Sequence, residues 1–162
     1  MFGRRKKVLV EAGAQAPAFK LVGVDQPARS LDDILAGGPA LLAFYKISCP
    51  VCQLTAPYLE RLAANNAIQV IGISQDDGAA TRGFMQRLGV TFPMLLDLAS
   101  EDYPASNAYG ITSVPSLFLV ERDGTIARAF HGFSKRDFEE IGARAGVSPF
   151  SPDDHVPEWK AG

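Results

Sequence analysis

Cysteine is scarce in this sequence of 162 residues, which contains only two, Cys49 and Cys52. Two cysteines are too few for a small secreted scaffold that is held together by several disulfides. They are also too few for a zinc or iron–sulfur site with four cysteine ligands from one chain. The two histidines, His131 and His155, lack the spacing of paired metal ligands. The composition therefore predicts no metal site and no cofactor.

The sequence also lacks an excess of one charge and a long apolar run. Sixteen Lys and Arg oppose eighteen Asp and Glu, giving a net charge of −2, whereas nucleic-acid binding needs a cationic excess. The basic cluster Arg4–Lys7 is followed by three apolar residues and then Glu11, and a secretory signal needs an apolar run of roughly 7–15 residues. No run approaches the roughly 18 apolar residues of a membrane span. We therefore expect a cytoplasmic protein without a membrane span or a nucleic-acid partner.

Strand and helix patterns alternate along the rest of the chain. Strands are predicted at Pro17–Leu21, Ala40–Tyr45, Ile68–Ser74, Phe92–Leu96, Ser116–Val120 and Thr125–Phe130. Helices are predicted at Leu31–Leu35, Pro50–Ala64, Ala79–Leu88, Ala105–Tyr109 and Ser134–Ala145. Parallel crossover units precede an antiparallel hairpin signalled by Asp123-Gly124. This order predicts an α/β fold with one mixed sheet and helices on both faces.

Cys49 and Cys52 lie where the strand Ala40–Tyr45 gives way to the helix that begins near Pro50. The unpaired N–H groups and macrodipole of a helix N-terminus favour an anion. Cysteines in such positions have their pKa lowered from about 8.5 to roughly 3.5–7.5. Cys52 follows one turn later on the same face, within the Cα separation that a disulfide tolerates. The pattern predicts an attacking thiolate at Cys49, a resolving thiol at Cys52 and a redox-active disulfide between them; an inert buried pair is the alternative.

Two motifs resemble those of the thioredoxin-like redoxin superfamily. The segment Phe44–Cys52 (FYKISCPVC) is similar to the redoxin active site, and Ser113–Phe118 (SVPSLF) is similar to a second motif in which Val-Pro precedes a strand. The resemblance extends over roughly residues 14–145 and implies a thioredoxin fold. We accordingly expect a redoxin domain at 14–146, between a basic N-terminal tail at 1–13 and a Pro-rich C-terminal tail at 147–162.

The resemblance also assigns roles to Val114 and Pro115. It implies that Val114 offers its backbone to an extended substrate segment, and that Pro115 follows a cis peptide bond beside the active-site disulfide. Most X–Pro bonds in folded proteins are trans. Without the resemblance, we would therefore expect Pro115 to be an ordinary trans proline at the start of a strand.

The superfamily includes TlpA-like thiol-disulfide reductases and AhpC-TSA peroxiredoxins, and this sequence has features of both. The Cys-Pro-Val-Cys motif favours a reductase, although Ile47-Ser48 replaces the Trp that precedes the first cysteine of many thioredoxins. The segments Phe92–Asp97, Asn107–Gly110 and Asp123–Ile126 resemble peroxiredoxins. However, neither cysteine is preceded by the Thr or Ser at −3 and the Pro at −7 that shape a peroxide pocket. Arg128 is a candidate for holding a peroxide, with an exposed strand arginine as the alternative.

Three functions follow as hypotheses. The first is dithiol–disulfide exchange, with a disulfide-containing protein or a small thiol or disulfide as substrate and an external thiol reductant system as partner. The second is an antioxidant thiol peroxidase, which would form a sulfenic acid at one cysteine. The third is a non-catalytic redox-sensing binding module. Disulfide reduction and hydroperoxide consumption, measured on the wild type and on both Cys→Ser variants, distinguish the three.

Overall fold

The apolar strand Ala40–Tyr45 is an interior strand of a seven-stranded sheet in the computed structural model, which describes residues 8–162. The strands are β1 (Lys20–Gly23), β2 (Gln26–Ser30), β3 (Ala40–Tyr45), β4 (Gln69–Ser74), β5 (Met94–Leu96), β6 (Ser116–Val120), β7 (Ile126–His131), β8 (Phe133–Ser134) and β9 (Trp159–Lys160). The helices are α1 (Leu31–Ala36), α2 (Pro50–Leu62), α3 (Gly78–Leu88), α4 (Pro104–Ala108) and α5 (Lys135–Ala145), with a 3-10 turn at Ala99–Glu101.

The sheet is mixed, as the sequence predicted. Its strand order is β2-β1-β5-β4-β3-β6-β7. The pairs β3–β4 and β4–β5 are parallel, whereas β6 runs antiparallel to both β3 and β7. The strands β8 and β9 form a separate two-stranded sheet. Because β6 is antiparallel to β3, the residues that precede β6 lie beside the carboxyl end of β3.

The core has two layers because successive β3 side chains point to opposite faces of the sheet. No β3 residue is more than 5% exposed. One layer packs against α2, α3 and α5 and includes Leu41, Ala43 and Tyr45. The other layer packs against α1 and α4 and includes Ala40, Leu42 and Phe44. The predicted helices on both faces are therefore present.

Local signals explain where several helices begin and end. Ser30 and Asp33 form a reciprocal capping box at the start of α1. Asp77 caps α3 by accepting the Ala80 N–H at 2.8 Å, and Gly89 ends that helix in the left-handed conformation. Pro57 lies inside α2 without ending it.

The sequence did not predict β2, which pairs with β1 as an antiparallel hairpin. The leading strand also begins at Lys20 rather than at Pro17. The segments outside the predicted domain contact it in the structure: the N–H groups of Val10 and Gly13 donate to the carbonyls of Tyr109 and Ile126. The basic cluster at residues 4–7 lies outside the described residues. Between residues 8 and 162, no helix is both long and apolar enough to cross a membrane.

Candidate active site

Cys49 lies between β3 and α2 and is the N-cap residue of α2, with extended backbone angles. Its backbone N–H donates to the Lys46 carbonyl at 3.2 Å, which closes a tight turn after the strand. Pro50 occupies the first turn of the helix, where its missing N–H costs no intrahelical hydrogen bond. The local sequence therefore places a half-buried thiol at a helix N-terminus, as predicted.

The Cys49 sulfur contacts two backbone groups. It accepts the Cys52 N–H at 3.2 Å, and as a thiol it donates to the Val114 carbonyl O at 3.5 Å. The N–H contact aims a positive backbone dipole at the sulfur, which is the arrangement that stabilises a developing thiolate. Both cysteines are free in the structure.

Cys52 differs from Cys49 in its surroundings. It is only 2% exposed and lies among Tyr45, Phe84 and other apolar side chains of the layer under α2. Burial, the largest effect, and the hydrogen bond with Cys49 raise the pKa of the Cys52 thiol far above its ordinary value. The pair is therefore chemically unequal, with one accessible sulfur and one buried neutral thiol.

Val114 and Pro115 immediately precede β6, and the pairing of Phe44 with Ser116 brings them beside Cys49. The Val114–Pro115 peptide bond is cis, so the expectation from the resemblance is confirmed and the trans expectation for Pro115 alone is wrong. Pro115 also lines a small apolar cavity that reaches Cys52. The structure thus brings all four predicted site residues together.

A polar cleft of about 250 Å³ adjoins Val114. Its lining includes Lys46, Gln75, Ser106 and Ser113, and the Gln75 side-chain amide donates to the Ser106 hydroxyl at 2.9 Å. Lys46, three residues before Cys49 in the chain, contributes a positive charge to this cleft. The cleft offers hydrogen-bonding groups beside the backbone of Val114.

Sequence reasoning missed the role of Asp76 in supporting the active-site turn. The Asp76 carboxylate accepts the Ile47 N–H at 2.8 Å, while the Ile47 carbonyl accepts from the Gln53 side chain at 2.9 Å. Both contacts hold the turn that carries Cys49. The negative charge of Asp76 also makes a smaller contribution to the raised pKa of Cys52. The available signal was a carboxylate two residues after β4, the strand next to β3.

Two other candidate features lie away from the thiols. Arg128 pairs with the carboxylates of Asp137, at 2.6 Å, and Glu140. These ion pairs hold its guanidinium against α5 rather than leaving it free to bind a peroxide. Among residues 8–162, no group of three or more His, Cys, Asp or Glu side chains is arranged to hold a metal ion.

Comparison with known proteins places this geometry in a family. The thiol:disulfide interchange protein DsbE of Yersinia pestis is 32% identical over 117 residues, which are 70% of this chain and 61% of that protein. The thiol-disulfide oxidoreductase ResA of Geobacillus thermodenitrificans is 25% identical over 140 residues, covering 83% of this chain and 78% of that protein. This chain thus spans less than two thirds of the length of the Yersinia relative.

Solved structures show that the fold is the thioredoxin fold. The thioredoxin domain of a thiol-disulfide oxidoreductase from Bacteroides vulgatus superimposes with a TM-score of 0.72 at 20% identity, covering 86% of this chain and 99% of that domain. A protein-family model described as the AhpC/TSA family matches residues 12–129, which include both cysteines and the Val-Pro motif. The chain therefore belongs to the AhpC/TSA family, within the thioredoxin-like redoxins.

Proposed function

We propose that this protein is a thiol-disulfide oxidoreductase in which Cys49 attacks and Cys52 resolves. The observation that carries the proposal is the unequal pair: a half-buried sulfur that accepts a backbone N–H at a helix start, and a buried neutral thiol one turn away. The names of the relatives from Yersinia and Geobacillus support the same reaction class.

The reaction exchanges one disulfide for another. The Cys49 thiolate attacks a sulfur of the substrate disulfide, a Cys49–substrate bond forms, and the first substrate thiolate leaves and takes up a proton. The Cys52 thiol then loses its proton and attacks the Cys49 sulfur, which forms the Cys49–Cys52 disulfide and releases the second substrate thiol. An external thiol reductant returns two electrons to regenerate both protein thiols. Substrate sulfurs can approach only Cys49, because Cys52 is buried.

The substrate we propose is a disulfide-containing protein or a small disulfide. The backbone of Val114 next to the thiol supports an extended segment of the substrate as the recognised element. The reductant system and the cytoplasmic location stay predictions. Cell fractionation followed by detection of the protein would test the location.

Replacement of the resolving thiol tests the mechanism. We expect Cys52→Ser to accumulate mixed disulfides through Cys49 when insulin is the substrate, because the second attack is removed. Cys49→Ser should form none and should lose disulfide reductase activity by at least about a hundredfold, as expected for loss of a nucleophile. Intact-mass spectrometry identifies the trapped species. Full reductase activity in Cys49→Ser would show that Cys49 is not the attacking residue.

Peroxide reduction is the second candidate, because the family includes peroxiredoxins and the second half of the sequence resembles them. It predicts rapid sulfenic acid formation at one cysteine on addition of a hydroperoxide, with the other cysteine resolving it. Hydroperoxide consumption no faster than that by free cysteine would exclude it. A protein that turns over neither substrate but captures a partner only in one redox state would instead be a redox-sensing module.

A further inference from the structure

The chain after α5 returns to the active site in two stages, and the first is firmly attached. The Phe150 ring packs 4.8 Å from the Tyr58 ring and 5.9 Å from the Phe133 ring, measured between centroids. The Arg61 guanidinium donates two hydrogen bonds to the Asp154 carboxylate, at 2.6 and 3.3 Å. Aromatic packing and a two-pronged ion pair thus fix residues 149–154 against α2.

The second stage, residues 158–162, consists of exposed residues. The Lys135 N–H donates to the Glu158 carbonyl at 3.0 Å, and β9 pairs with β8 through Trp159 and Lys160 only. The Trp159 side chain is 54% exposed, with its ring edge-on to the His131 ring. A two-residue ladder open to water is typical of a segment that opens locally while the rest of the fold stays intact. We call residues 158–162 the C-terminal strand segment.

The C-terminal strand segment reaches the backbone of Val114, which the proposed site presents to substrates. A Cβ atom built on Gly162 would lie 1.9 Å from the Val114 carbonyl O and 3.1 Å from Pro115 Cδ. The same carbonyl O accepts from the Cys49 thiol. One carbonyl therefore contacts the reactive sulfur and also the backbone of Gly162.

We propose that the C-terminal strand segment occupies the surface on which an extended, disulfide-bearing peptide pairs, so that such a substrate must displace it. This inference rests on the proposed function. An incoming peptide that adds a strand to β8 and reaches Val114 needs the backbone positions that β9 and Gly162 fill. The apparent affinity for the substrate is then the intrinsic affinity multiplied by the fraction of molecules in which the segment has left Val114. A small reagent that needs only the Cys49 sulfur does not compete with the segment.

Gly162→Ala tests the competition with minimal change. The new methyl group would collide with the Val114 carbonyl, a backbone atom that cannot swing aside, so the segment has to leave Val114. Deletion of residues 158–162 removes the segment outright. Gly83→Ala in α3 is the matched control, since its Cβ would meet only the Arg87 side chain at an ordinary 3.5 Å.

The first assay is reduction of insulin disulfides with excess dithiol. We expect Gly162→Ala and the deletion each to raise kcat/KM about fivefold, which corresponds to about 1 kcal/mol. Gly83→Ala should match the wild type, and iodoacetamide should modify Cys49 at the same rate, within about twofold, in all four proteins. Unchanged kcat/KM in both segment variants of an active enzyme would overturn the proposal.

The second assay does not depend on catalysis. In Cys52→Ser, Cys49 attacks a cysteine peptide activated with thionitrobenzoate; a Cys49–peptide disulfide forms as the bond to thionitrobenzoate breaks. We expect hydrogen exchange at the Lys135 amide, which the Glu158 carbonyl protects, to become at least about tenfold faster in this adduct than in an iodoacetamide adduct of Cys49. Equal protection in the two adducts would refute displacement. Absence of insulin reduction in every protein, with faster exchange in the peptide adduct, would count against the reductase function alone.

Discussion

The buried Cys52 thiol makes a specific prediction about stability at alkaline pH. Folding raises its pKa because the thiolate would be desolvated, so the folded chain keeps this proton where the unfolded chain releases it. The stabilisation is fully present below the unfolded pKa of about 8.5 and is lost as the pH rises above that value. Because one proton is involved, the slope of the free energy of unfolding against pH approaches about −1.4 kcal/mol per pH unit. Between pH 8 and 10.5 the loss from Cys52 amounts to about 2.5 kcal/mol.

The measurement is the free energy of unfolding in urea, under a phosphine reductant, for the wild type and Cys52→Ser at several pH values. Serine does not titrate in this range, so the difference between the two proteins isolates Cys52. Burial also raises the pKa of Tyr45 and Tyr109, but both proteins share these groups and their contributions cancel. We expect the stability gap to shrink by about 2.5 kcal/mol between pH 8 and 10.5. A gap that does not change with pH would mean that folding leaves the Cys52 thiol as easy to ionise as in the unfolded chain.

Two further substitutions test the packing around the site. Gly72→Ala in β4 should cost about 1–3 kcal/mol in urea unfolding, because its Cβ would lie 2.2 Å from Met94 Sδ in a tightly packed layer, and an unchanged midpoint would mean that Met94 moves aside freely. Asp97→Ala should cost about 2–4 kcal/mol, because the buried carboxylate accepts two backbone N–H groups at the start of α4. Asp97→Asn keeps one acceptor oxygen and should lose less, so equal losses in the two variants would contradict this account.

The central elements were predictable because their signals are local. The uninterrupted apolar run that forms β3 and the helical spacing in α2 are visible within a few residues. Asp123-Gly124 likewise marks the β6–β7 hairpin, and Gly124 adopts the positive φ that this turn requires. The position of Cys49 at a helix start follows from these neighbours alone.

The missed parts depend on contacts between distant residues. The strand β2 has few apolar residues and contains Pro27, and it becomes a strand through its pairing with β1. The cis state of Pro115 was not derivable from residue type, since the two isomers of an X–Pro bond differ by only about 0.5–1 kcal/mol and the surroundings decide. The path of residues 147–162 depends on Phe150 and Asp154, whose partners in α2 lie some ninety residues earlier in the chain.

The composition of β2 has a consequence for how molecules of this protein meet. This strand forms one border of the seven-stranded sheet, where unpaired backbone groups can recruit another chain. Pro27 has no N–H to donate and Arg29 adds a charge, so the border is poorly suited to a continuous ladder with a second molecule. The same five residues therefore disfavour edge-to-edge pairing between two molecules, and their polar character is also the reason that the sequence did not predict the strand.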